Sequence, residues 1–101
     1  MACRLKLQEK LEELLESENV YYNPPKSLEM KYTAIRFKKV TPNVQFANNS
    51  RYFNKDCFEL TVISRRPEDP VIEKILALPY TRWNQSYPAD DLYHDVITIY
   101  Y

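Results

Sequence analysis

The chain contains no glycine in 101 residues. Every tight reversal must therefore be made by a residue that carries a Cβ. The candidates are Asn and Asp, which tolerate left-handed dihedrals, and Pro, which presets φ. With seven prolines in the sequence the backbone should be stiffer than average. The same absence excludes classes of function: phosphate loops of the G-x-x-x-x-G-K or G-x-G-x-x-G type cannot be built, so nucleotide enzymes that rely on them are ruled out.

A chain of this length with 45% hydrophobic residues can bury one core, and residues 1–101 are expected to form a single domain. Fourteen basic residues balance fourteen acidic ones, so no global field draws the protein to nucleic acid or to an anionic membrane. Cys3 and Cys57 stand far apart, outside any CxxC or Cys/His pattern, and read as two reduced thiols. The start, MACRLKLQEKLEELLESE, alternates leucine with charge and lacks the apolar stretch of a signal peptide. No run approaches the ~20 apolar residues of a membrane span, so a soluble, cytoplasmically made protein is expected. The N-x-S matches at Asn48 and Asn84 are then chance. Nine tyrosines supply broad rings with polar tips, suited to half-buried surfaces and subunit contacts.

Leu7, Leu11, Leu14 and Leu15 recur at helical spacing among charged residues and predict an amphipathic helix over 4–17 that packs its leucines on a sheet. Glutamates crowd its last turns, where the helix end is already negative, so packing must hold it. Val20-Tyr21-Tyr22-Asn23-Pro24-Pro25 reads as extended or polyproline-like. Over 32–40, Ile35 and Phe37 alternate with Arg36 and Lys38, a half-buried strand, and 41–51 reads as a long amide-rich loop. The clearest strand runs from about 52 to 64, with Phe58, Leu60 and Val62 opposite Cys57, Glu59 and Thr61. Asp69 is placed to cap a helix over 71–78 that starts at Pro70 and stops at Pro79. A strand over 81–87 puts Trp83 and Tyr87 on one side. The last strand, 92–101, is apolar on both faces, as an interior strand would be, or one covered by a neighbouring subunit. The predicted fold is α+β: a mainly antiparallel four-stranded sheet with two helices, in the order α-β-β-α-β-β.

A hydrolase or nuclease needs a base, a nucleophile or metal, and charge stabilisation converging on one point. His94 is the only histidine, and Asp95 beside it on a strand points to the other face, so a dyad is not expected. Asp90, Asp91 and Asp95 lack calcium-loop spacing and read as an acidic turn. No catalytic, cofactor-binding or metal-ligating residue is assigned, and no enzyme activity is expected. Pro67-x-x-Pro70 fits a helix start better than an SH3 ligand. Arg36, Lys38 and Lys39, with Arg51 and Lys55 near Tyr52 and Phe53, could track phosphates and stack bases. Nearby Asp56, Glu59, Asp90 and Asp91 offset them, so a charged solvated face is the commoner explanation; no specific nucleic-acid binding is expected, and a small nucleic-acid-binding module stays as a secondary alternative.

Read in order, the segments resemble a known family. The LQEKLEELL helix is followed by Val20-Tyr21-Tyr22-Asn23-Pro24-Pro25 and Lys31-Tyr32-Thr33-Ala34-Ile35. Phe46-Ala47-Asn48-Asn49-Ser50-Arg51-Tyr52 and Leu60-Thr61-Val62-Ile63-Ser64-Arg65-Arg66-Pro67-Glu68-Asp69-Pro70 come next. Leu78-Pro79, Tyr87-Pro88-Ala89-Asp90-Asp91-Leu92-Tyr93-His94-Asp95-Val96 and Ile97-Thr98-Ile99-Tyr100-Tyr101 close the chain. Their order and spacing resemble the small tail-completion or tail-terminator proteins of long-tailed bacteriophages over nearly the whole length. The family pattern departs in carrying Asn at the positions of Asp91 and Tyr93, and Asp at Ser64 or Arg65.

The resemblance implies a structural virion protein of the tail or neck, assembled in the bacterial cytoplasm. Copies would form a closed ring, commonly a hexamer, that stops tail-tube polymerisation. Its partners would be itself, the major tail tube protein and the head-tail connector or stopper protein, with no cofactor. A place one position away, as that connector or stopper, is the alternative. A ring uses heterologous contacts, one patch meeting a different one. The expected contact residues are Phe46, Asn48, Asn49, Arg51, Tyr52 and Phe53 in the 41–54 loop, and Tyr93, His94, Tyr100 and Tyr101 in the last strand, with the aromatics as anchors.

Overall fold

The computed structural model describes residues 2–25, 28–40 and 56–101, with side chains from Arg4 onward. Helix α1 spans Ala2–Leu15 and is followed by β1 (Val20–Tyr22), β2 (Ala34–Lys39) and β3 (Cys57–Ser64). Helix α2 (Pro70–Leu76) then leads to β4 (Thr81–Ala89) and β5 (Leu92–Tyr100). The five strands form one mixed sheet in the order β1-β2-β3-β5-β4.

That sheet corrects the expected four-stranded one and its α-β-β-α-β-β order. Val20-Tyr21-Tyr22 is a fifth strand and pairs parallel with β2, Val20 opposite Ile35 and Tyr22 opposite Phe37. Its β-branched and aromatic side chains suit a pleated surface. Main-chain bonds from Ile35 N to Asn19 O and from Asn23 N to Phe37 O extend the pairing one residue each way. Pro24 and Pro25 then remove the next two donors, which limits β1 to three residues. The segment was expected to be extended or polyproline-like and not a sheet strand, because three residues carry no periodicity from which pairing could be read.

The remaining pairs are antiparallel. Register places Ile35, Phe37, Phe58, Leu60, Val62, Ile97 and Ile99 on one face, all buried. Leu7 and Leu11 of α1 and Val71, Ile72 and Ile75 of α2 complete that core. Phe37 meets Tyr22 and Phe58 edge-on, at 5.0 and 5.9 Å between ring centres, and Arg4 lies over the Tyr22 ring at 4.7 Å. β5, flanked by β3 and β4, is the interior strand its two apolar faces require.

Among the described residues, six stand with positive φ in place of glycine: Glu16, Asn23, Glu68, Tyr80, Asp90 and Asp91. Three are the expected Asn or Asp. Asp90 and Asp91 form a two-residue hairpin loop with both φ positive, closing on the Ala89–Leu92 pair. Glu16 ends α1: its N–H reaches Glu13 O and that of Ser17 reaches Glu12 O, the bond pair of a left-handed helix stop.

Asp69 is the N-cap of α2, with Pro70 opening the helix as expected. One carboxylate oxygen accepts from Val71 N at 3.0 Å. The other accepts the Thr33 hydroxyl at 3.1 Å and the Ser64 hydroxyl at 3.3 Å. One buried side chain thus fixes the start of β2, the end of β3 and the helix.

Candidate interaction site

The loop residues Phe46, Asn48, Asn49, Arg51, Tyr52 and Phe53 lie outside the described residues. The four candidates at 93–101, three on β5 and Tyr101 just after it, do not share a surface. Alternation puts Tyr93 and Tyr101 on the helix-bearing face at opposite ends of the strand, and His94 and Tyr100 on the other face. Tyr93 is 41% exposed, whereas Tyr101 packs against the core. Tyr100 stands opposite Cys57. His94 is buried, its ring stacked on Tyr87 at 4.9 Å, and its Nδ1 has no hydrogen-bond partner among the described residues. Asp95 does point away from it, so the two cannot share a proton.

Asp95 instead accepts the indole N–H of Trp83 at 3.1 Å. The register of β4 against β5 slips between Trp83 and Gln85, a bulge at Asn84, whose amide donates to the Thr98 hydroxyl at 2.7 Å. The extra residue resets the alternation. Trp83 therefore shares the helix-bearing face with Asp95, whereas Tyr87 stacks on His94 across the sheet, which corrects the expectation that the two aromatics lie on one side. Trp83 is 47% exposed. It stands on a nine-residue strand at the rim of the sheet whose one charged side chain is Arg82. Sequence patterning could not single out this held, exposed indole, because one inserted residue is invisible to a period-two count.

The basic stripe is also divided. Arg36 and Lys38 face away from the helices, and Lys39 points to the other face. Lys38 lies 3.9 Å from Glu59 and Lys39 lies 3.4 Å from Asp56. Arg36 has no ion-pair partner among the described residues. It lines a cleft of about 260 Å³ with Asn23, Pro24, Lys38, Glu59 and Thr61. A second cleft, about 300 Å³, lies between the end of α1 and the start of α2 and includes Asp69 and Lys74. Asp69 is already committed there as cap and hydroxyl acceptor, and Lys74 pairs with Glu16 at 3.2 Å.

Among the described residues, no group of three or more His, Cys, Asp or Glu could hold a metal ion, and no helix is long and apolar enough to cross a membrane. Burial pushes the Cys57 thiol above its ordinary range, with Glu59 adding to the rise and a hydrogen bond from Tyr100 opposing it. A thiol held neutral is a poor nucleophile. What the described surface offers is contact chemistry: an anchored aromatic on one rim, and a partly shielded arginine toward the other.

No protein-family model, no curated protein and no solved structure matches the chain.

Proposed function

We propose that the chain is a structural ring subunit that caps the head-proximal end of a long-tailed phage's tail tube, ending tube polymerisation and presenting a joining surface to the head-side connector. The resemblance in order and spacing of segments supplies the identity of the assembly. The structural observation that carries the reading is the Trp83 rim: an indole 47% exposed, fixed by Asp95, on an edge strand with a single charge. Tryptophan leads the residues that anchor subunit contacts, and a ring fixed in one orientation loses little entropy on docking. A nine-residue rim strand also leaves main-chain groups on its outer side for a neighbour. In this reading the work is geometric and there is no turnover.

Size exclusion with light scattering, together with electron microscopy of the purified chain mixed with tail tubes, tests the proposal. Rings at tube ends are the expected result. A strict monomer that never associates with tube ends or virions overturns it. The neighbouring place, connector or stopper, shares the ring architecture, and labelling the chain within intact particles separates the two.

A further inference from the structure

Arg36 and the Asp90-Asp91 pair are opposite in sign, have no ion pair among the described residues, and lie toward opposite rims of the sheet. Arg36 is on β2, one strand in from the β1 edge, and Asp90-Asp91 form the tip of the β4–β5 hairpin at the other edge. Three strand spacings, about 14 Å, separate β2 from β4, so the two do not meet within one chain. Both aspartates are exposed and have no ion pair among the described residues. Both hold left-handed dihedrals, φ 53° and 62°, which project their carboxylates from a short, stiff turn.

The cleft is lined by two cations, Arg36 and Lys38, against one carboxylate, Glu59. Arg36 is half-buried and has no ion-pair partner among the described residues, whereas Lys38 is offset by Glu59 at 3.9 Å. Arg36 therefore carries the uncompensated charge. A guanidinium offers a fork of N–H donors matched to a carboxylate, and the Thr61 hydroxyl and Asn23 amide line the same cleft. With zero formal net charge, copies of the chain do not repel one another at long range, so opposite local patches can govern their approach.

From this charge complementarity we propose that the Asp90-Asp91 hairpin tip of one copy docks into the Arg36 cleft of the next. The occupant is a second copy of this chain. The contact is heterologous, since tip and cleft are different surfaces, and it repeats around a closed ring. It rests on the ring reading for its biological setting and adds the identity of the two halves of a subunit contact.

Sedimentation velocity on the full chain, at low salt and up to about 1 mM, tests it; self-association should appear there and weaken as salt shortens the electrostatic range. Arg36→Glu, and separately Asp90→Lys with Asp91→Lys, should each weaken association about tenfold or more. An equimolar mixture of the two reversed proteins should recover it, because acidic tips then meet unaltered clefts and reversed tips meet reversed clefts. Arg36→Gln and Asp91→Asn, which leave the hairpin its left-handed tolerance, should act in the same direction with smaller size, and unchanged thermal melting checks the fold. Variants that associate like the wild type, a mixture that fails to recover, or a wild type monomeric at the highest concentration overturns the proposal. Arg36→Glu rings that still cap tail tubes overturn this contact and leave the ring reading standing. Association that depends on Arg36 and Asp91 in a chain never found at tube ends or virions keeps the contact and overturns the ring reading.

Discussion

The Trp83 indole N–H donates to the Asp95 carboxylate at 3.1 Å across the β4–β5 pair, and the ring remains 47% exposed. Solvent competes for both partners, so the bond holds the ring in place more than it stabilises the fold. Trp83→Phe and Asp95→Ala should each cost about 0.5–1 kcal/mol in urea unfolding. Trp83 is the sole tryptophan, so its emission reports this rim alone. The free chain should emit like a solvent-exposed indole and quench readily with acrylamide. Assembly through the rim should shift emission to the blue and reduce quenching, and quenching unchanged in the assembled state would remove Trp83 from the contact.

Asp69 should be the most sensitive polar position. Its two oxygens receive Val71 N, the Thr33 hydroxyl and the Ser64 hydroxyl, and the residue is buried. Asp69→Ala removes a helix cap and leaves two hydroxyls without their acceptor, a loss of about 3 kcal/mol. Thr33→Ala and Ser64→Ala each remove one bond and should cost about 1 kcal/mol. Chemical denaturation of the three variants checks the order. An Asp69→Ala loss no larger than that of Ser64→Ala would mean the carboxylate is not the joint between β2, β3 and α2.

The glycine-free turns are open to improvement at Glu16. A non-glycine residue in the left-handed region carries a strain of about 1–2 kcal/mol, and adding glycine returns about 0.4–1 kcal/mol of entropy to the unfolded chain. Glu16→Gly should therefore stabilise by about 0.5–1 kcal/mol, raising the melting temperature by a few degrees. Its ion pair with Lys74 is exposed and its loss changes little. Asp91→Gly should gain less, because aspartate already tolerates the left-handed region. Calorimetry on the two variants decides, and a larger gain at Asp91 than at Glu16 would contradict the strain argument.

These contrasts mark which parts of the fold the amino-acid sequence could express. Cys57–Ser64 and Leu92–Tyr100 were legible because each has enough residues for alternation to repeat, and α2 because Asp69-Pro70 is a local start signal. β1 was not, because its pairing with β2 is made by residues more than ten positions away and its own length is three. The bulge at Asn84 was not, because it depends on how β4 meets β5. Among the described residues Lys38 and Lys39 are paired and Arg36 is not, a separation that arises from register: β3 brings Glu59 opposite Lys38. Of the candidate contacts on the last strand, the sequence identified aromatic character but not exposure, which is set at each end by what packs beside the strand.

Cys57 supplies a pH-dependent test of the sheet face without helices. Burial, the largest influence, raises the thiol above its ordinary value, Glu59 raises it further, and the Tyr100 hydrogen bond lowers it. Because the folded chain holds the proton more tightly than the unfolded one, this stabilisation is complete below the ordinary thiol value of about 8.5. It is lost as pH rises from there through the raised folded value, since the unfolded thiol ionises first. The stability difference between the parent and Cys57→Ala should therefore shrink as pH rises past the ordinary thiol value, while other titrating groups cancel in the comparison. Tyr100→Phe removes the one influence favouring the thiolate and should steepen the effect. In a Cys3→Ser background, Cys57 should react slowly with thiol reagents when native and rapidly when unfolded. Equal rates in the two states, or a difference that does not vary with pH, would show that the Cys57–Tyr100 end of the sheet opens to solvent in the folded chain.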